Sequence, residues 1–169
     1  MRDAPITCQG CSAQVPDMPE TRVRAAYVGS APGCWQLYTD LLAREYSDIR
    51  YAPAHQLTVD TYMVQHPGEP ARRSAQSVAI HLVGLCLMLE RGRTPAELPG
   101  LRKRVVERHD TFPWLTPPQS VGELTVLDIL AAGSAEEHRH VVDRWAASAW
   151  EAWSAHHEQV RAWADEVSG

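Results

Sequence analysis

A chain of 169 residues with 44% apolar and 22% charged side chains is long enough for a substantial core and unlike a disordered segment. Its net charge of −5 and pI near 5.9 argue against nucleic acid or an anionic membrane surface as partner. No apolar run nears the ~20 residues of a bilayer span, and the opening MRDAPITCQGC lacks the apolar centre of a signal peptide, so a cytoplasmic location is expected.

Residues 1–33 carry Pro5, Gly10, Pro16, Pro19, Gly29, Pro32 and Gly33 with little periodicity. They read as an irregular loop, with at most a short helix around Glu20 to Ala26. So long a loop in a compact domain needs something to hold it. From Cys34 the spacing turns helical: Cys34, Tyr38, Leu41 and Glu45 share one face, and the helix is expected to end near Tyr46. A second helix, His55 to Gln65, should stop at His66-Pro67-Gly68, with His55, Val59, Tyr62 and His66 facing inward. Ser77 to Arg91 is apolar almost all round, which predicts a central helix ending at Gly92.

Thr94 to Glu97 spells a capping box over a turn of helix, and Leu101 to Arg108 a short basic helix with a solvated face. Pro113, Pro117 and Pro118 make a loop; Ser120 to Glu123 offers a second capping box before a short helix closed by Gly133. A third box, Ser134 to Glu137, opens the last helix, predicted unbroken to about Val167. Its inner stripe is His138, Trp145, Ala149, Ala152, His156, Val160 and Trp163, with Trp153 at the edge. Strand signals are poor throughout. The expected fold class is therefore all-α: an irregular helical bundle with an N-terminal zinc-held loop, one domain over 1–169, divided into loop 1–33 and bundle 34–169.

In a reducing compartment four cysteines point to metal ligation before disulfides. Cys8 and Cys11 form a CxxC whose turn Gly10 eases, and Cys34 follows at the start of a helix. Three inert thiols, or a redox pair without its usual βαβ setting, are the other readings. A structural zinc wants a fourth ligand. If the first two helices are antiparallel, the rise of ~1.5 Å per residue returns His66 to Cys34 and sets His55 beside Glu45. One ion cannot use both histidines, and this assigns Cys8, Cys11, Cys34 and His66 to a Cys3His site, against a helix-capping role for His66. Cys86 reads as a small buried hydrophobe.

The other polar residues on inner faces, Glu45, His55, Asp60, Tyr62, His81 and His156, are candidates for a catalytic pocket; bundles build metal sites from inward Glu and His. Satisfied core residues are the plainer reading of each. His138, His140 and His109 read as surface histidines, although His138 lies on the last helix's stripe. Trp150 projects to a different side and is a candidate for a pocket wall or a partner surface.

The stretch His55-QLTVDTYMVQ-His66-Pro67-Gly68, with CQGC, Cys34, SVAIHLVGLCLMLE and AWSAHHEQVRAW, resembles an uncharacterised bacterial family of small helical proteins, a domain of unknown function. The resemblance implies that Cys8, Cys11, Cys34, His55, Tyr62, His66, His81 and His156 or His157 belong to one recurring design. The expected function is that of a zinc-binding helical protein; a metal-dependent hydrolase or transferase with a His/Glu pocket is the alternative. The expected partner is a metal ion, with a small-molecule substrate or protein partner left open.

Overall fold

A computed structural model describes residues 4–169. Among them are seven α-helices, two 3-10 turns and one short hairpin. Strands β1 (Ile6–Thr7) and β2 (Gln14–Val15) pair antiparallel, Ile6 opposite Val15. Two residue pairs are too few to print an alternating pattern, which is why the hairpin is silent in the sequence. Between the strands the chain turns tightly: Ser12 N–H donates to Cys8 O (2.9 Å), Cys8 N–H donates to Ala13 O (2.9 Å), and Ser12 takes a φ of +62°.

Helix α1 (Pro32–Ser47) begins on a proline whose missing N–H would have had no helical partner anyway. Its buried face is Gly33, Cys34, Tyr38, Leu41 and Glu45, the expected stripe with one glycine added. A 3-10 turn (Ala52–Ala54) leads into α2 (His55–Gln65), whose bounds match the sequence reading. The return is antiparallel in effect, since residues at both ends of α2 meet α1: His55 meets Glu45 and His66 meets Cys34.

The burial of α2 departs from expectation. Thr58, Asp60, Thr61, Tyr62, Val64 and Gln65 are all buried, whereas Val59 and His55 are only half-buried. A one-sided stripe is thus replaced by a helix enclosed on nearly every side, packed on α1, α3 and α6. Its polar composition hides this, because polar residues mark a solvent face unless partners await them. Here they do.

Helix α3 (Arg72–Leu89) starts five residues before the apolar run and ends short of Gly92, which takes a φ of +62°. It packs on α2, α4 (Leu98–Arg108), α6 (Ala135–Ala152) and α7 (His157–Ser168). The short α5 (Val126–Leu130) is capped by Thr125 and Asp128, not by the Ser120–Glu123 box. Ser134 caps α6 as expected, its Oγ accepting from Glu137 N–H.

The long last helix is not continuous. It breaks at Trp153, passes through a 3-10 turn (Ser154–His156), and restarts as α7. No proline or glycine marks the break. Its reason is tertiary: Trp153 is 1% exposed and donates Nε1–H to Val64 O at 3.2 Å. The break also resets the helical phase, so His157 turns inward and stacks on Trp150 (3.9 Å, 10°) while His156 leaves the inner stripe.

Two apolar clusters result. One unites α3, α4, α7 and the end of α6 around Leu82, Leu85, Trp153 and Trp163. The other unites the hairpin, the loop, α1, α5 and the start of α6 around Cys34, Leu41, Tyr62 and Trp145. Helix α2 contributes to both, Val64 to the first and Tyr62 to the second.

Candidate metal centre

Cys8 and Cys11 stand on the turn between β1 and β2, Cys34 in the first turn of α1, and His66 at the C-terminal end of α2. Their Sγ and Nε2 or Nδ1 atoms all lie within 4.8 Å of one another, and all four residues are buried. Cys11 Sγ is 3.8 Å from Cys34 Sγ, and Cys34 Sγ is 3.4 Å from His66 Nε2. His66 donates Nδ1–H to Tyr62 O at 2.7 Å, which turns Nε2 towards the sulfurs and fixes the tautomer a metal ligand needs. Ala31 N–H points at Cys8 Sγ (3.4 Å) and Tyr62 Oη–H at Cys34 Sγ (3.6 Å), so two donors favour thiolate.

The backbone is shaped to permit this approach. A Cβ on Gly10 would overlap the His66 ring and fall 2.6 Å from Gly29 O. Gly29 in turn donates its N–H to His66 O (3.1 Å) and lies flat against Gly68, which takes a φ of +71°. Three glycines therefore mark where loop backbone meets the end of α2.

Electrostatics sharpen the picture. The neighbouring thiols Cys11 and Cys34 pull the Cys8 thiol far below its usual range, against the effect of burial. Cys11 and Cys8 push Cys34 far up, and burial adds to this. Burial alone would depress His66, but Cys11 and Cys8 outweigh it and raise the imidazole to about 9. Burial, then Cys34, holds Tyr62 well above the ordinary phenol range. Three thiols and an imidazole packed this closely shift one another strongly because they share protons in a dry setting, and the same four donor atoms could hold a metal ion in place of those protons.

The catalytic candidates meet in pairs and do not converge on one pocket. Glu45, fully buried, accepts from His55 Nδ1 (2.8 Å), Thr58 Oγ1 (2.5 Å) and His138 Nε2 (2.9 Å). Asp60 pairs instead with His81 (Nδ1 to Oδ1, 2.7 Å) and Arg102. Tyr62 belongs to the cysteine cluster, and half-buried His156 donates to Thr116 O at 2.8 Å. Among the described residues the cysteine–histidine group is the one set of three or more such side chains placed to share an ion.

His138 is a correction: it is fully buried against Glu45, not a surface histidine. Its place on the stripe of α6 was the available signal. Trp150 is another, being 6% exposed with Nε1–H donated to Glu90 Oε1 (3.0 Å), which removes it as a partner surface. Cys86 is fully buried, and burial pushes its thiol up to about 11, in keeping with a small hydrophobe.

Fold and site together define a helical bundle with a buried three-cysteine, one-histidine group at its amino-terminal end. The chain belongs to a family of unknown function, DUF5946, whose family model matches residues 6–154, from the hairpin to the break between α6 and α7. No curated protein and no solved structure matches the chain. No helix is long and apolar enough to cross a membrane among the described residues.

Proposed function

We propose that this is a zinc-binding protein in which Cys8, Cys11, Cys34 and His66 close a structural tetrahedral site, fastening the hairpin and the loop that follows it to α1 and α2. The observation that carries this reading is the convergence of four buried donors, from three separate stretches of chain, to within 4.8 Å. The chemistry of the set favours zinc over hard cations: three sulfurs and one imidazole suit a soft or borderline ion, and the CxxC spacing is typical of closed structural sites. All four positions come from protein and none opens to a cavity wall bearing catalytic groups, so the ion's role is to hold, not to activate water.

The division of the other inward histidines among Glu45, Asp60 and backbone carbonyls supports the structural over the hydrolytic reading. Elemental analysis of the purified full chain is the test. One zinc per chain, lost in Cys34→Ser and in His66→Ala, is the expected result. Fully reduced protein without stoichiometric metal would overturn it.

A further inference from the structure

Asp60 lies at the centre of a second built feature that the metal reading does not use. Its carboxylate is fully buried and is held from two sides, by Arg102 from α4 and by His81 from α3. Space for this pair exists because residue 84 is glycine: a Cβ there would sit 2.5 Å from Asp60 Oδ2 and overlap the Arg102 guanidinium. Asp60, already matched by Arg102, accepts Nδ1–H of His81 at 2.7 Å. A carboxylate behind the imidazole fixes which nitrogen carries the proton and which way the ring faces.

His81 Nε2 has no hydrogen-bond partner among the described residues, and the ring lines a surface cavity of about 310 Å³. The remaining walls are Tyr27, Arg73, Gln76, Ser77 and Ile80. Arg73 lines the cavity, is exposed and forms no ion pair among the described residues, so its positive charge is uncompensated there. Gln76 and Ser77 precede His81 by five and four residues on the same helix, which places them about one turn away, with an amide and a hydroxyl to offer. On a chain of net charge −5, a cavity whose walls include an unpaired Arg, a braced His and no carboxylate has distinctive local charge.

We infer that this cavity binds a phosphate group that still carries a hydroxyl, its charged oxygens accepting from Arg73 and its P–OH donating to His81 Nε2, with Asp60 positioning the ring from behind. Arg matches phosphate geometry through paired N–H donors, and the imidazole, its proton held on Nδ1 by Asp60, leaves Nε2 to accept from the ligand's hydroxyl, a contact that a carboxylate ion cannot make. Tyr27 closes the wall from the loop, so the cavity joins a helix of the bundle to the segment that the cysteine cluster anchors.

The test uses the full chain as purified, with its metal content measured separately, so that failure here and failure of the zinc reading remain distinct. Titration with inorganic phosphate and, in parallel, with acetate is followed through the imidazole nuclear magnetic resonance signals of all histidines. Saturable movement of the His81 signals at millimolar phosphate is expected, with acetate, which has no hydroxyl to donate, weaker by about tenfold or more; equal affinity for the two anions overturns the inference. Arg73→Ala, a change at the surface, should weaken that binding about tenfold or more, as loss of a charge-assisted pair does. His109→Gln, at a surface ion pair with Glu166, should leave it unchanged. Absence of His81 movement with phosphate up to about 20 mM, well above the millimolar range of weak specific binding, overturns the inference. So does equal affinity in Arg73→Ala.

Discussion

At the scale of single residues, the cysteine cluster depends on what is missing as much as on what is present. Gly10 carries no Cβ, and that absence lets the knuckle backbone lie on the His66 ring. Gly10→Ala would push either the hairpin or the imidazole outward, an overpacking that costs about 1–3 kcal/mol. The expected outcome is a lower midpoint in urea unfolding, together with faster loss of metal to a chelator than in the parent chain. A change in stability without any change in metal release would mean that His66 is not gripped in this way. Glu45 shows the opposite strategy. Its carboxylate accepts hydrogen bonds from three side chains in the dry interior, and a charge so placed needs every one of them.

Among the elements, Glu90 just beyond α3 is a junction. It accepts from Trp150 of α6 and forms a two-point pair with Arg161 of α7 (2.7 and 2.8 Å). Arg161 holds its carboxyl down at about 2, from an ordinary value of 4.5, against a smaller effect of burial. Between those values the unfolded chain binds more protons at this group than the folded one does, so its contribution to stability is present above about pH 4.5 and is lost as pH falls towards 2. Comparison of denaturant unfolding at pH 6 and pH 3 should therefore show a smaller loss in Glu90→Gln than in the parent. Equal losses would remove the junction from the account of acid stability.

The elements also show which parts of the structure can be read from residue order. Cys34, Tyr38, Leu41 and Glu45 are spaced for one face, and the short link from Ser47 to His55 leaves α2 little choice but to turn back. The pairs Cys34–His66 and Glu45–His55 follow from helical rise alone. Other features have tertiary causes that no local pattern carries. The break after Ala152 comes from where Trp153 finds room and a carbonyl, and the inward turn of His157 follows from that break. His138 stands on the inner stripe of α6, but what makes room for a buried imidazole there is Glu45 placed opposite it. The division of the remaining histidines among Glu45, Asp60 and Thr116 is likewise a matter of which helix lies beside which.

Across the whole molecule the cysteine cluster lies in one of two apolar cores, with the hairpin, α1 and α5, while α3, α4 and α7 form the other. Stripping the metal with a chelator under reducing conditions should therefore act unevenly. Amides from Cys8 to Cys34 are expected to lose protection in hydrogen exchange, while those of α3 around Leu82 to Leu87 keep theirs. Uniform loss across both halves would show that the two cores do not open separately. Helix α2 bridges them through polar contacts: Gln65 joins the carbonyls of Val121 and Leu124 to the indole of Trp145 on the cysteine side, while Asp60 pairs with His81 of α3 and Arg102 of α4 on the other.

That bridging helix buries polar side chains, Thr58, Asp60, Thr61 and Gln65, beside its apolar ones, and the order of synthesis gives this a use. Residues 55–66 leave the ribosome well before Arg102, Trp145 and Trp153, the side chains that will cover them. A greasy helix in that position would wait exposed and sticky; one bearing Thr58, Asp60, Thr61 and Gln65 can wait in water at little cost. The nascent chain thus keeps its future centre wettable until the carboxyl-terminal half arrives to close over it.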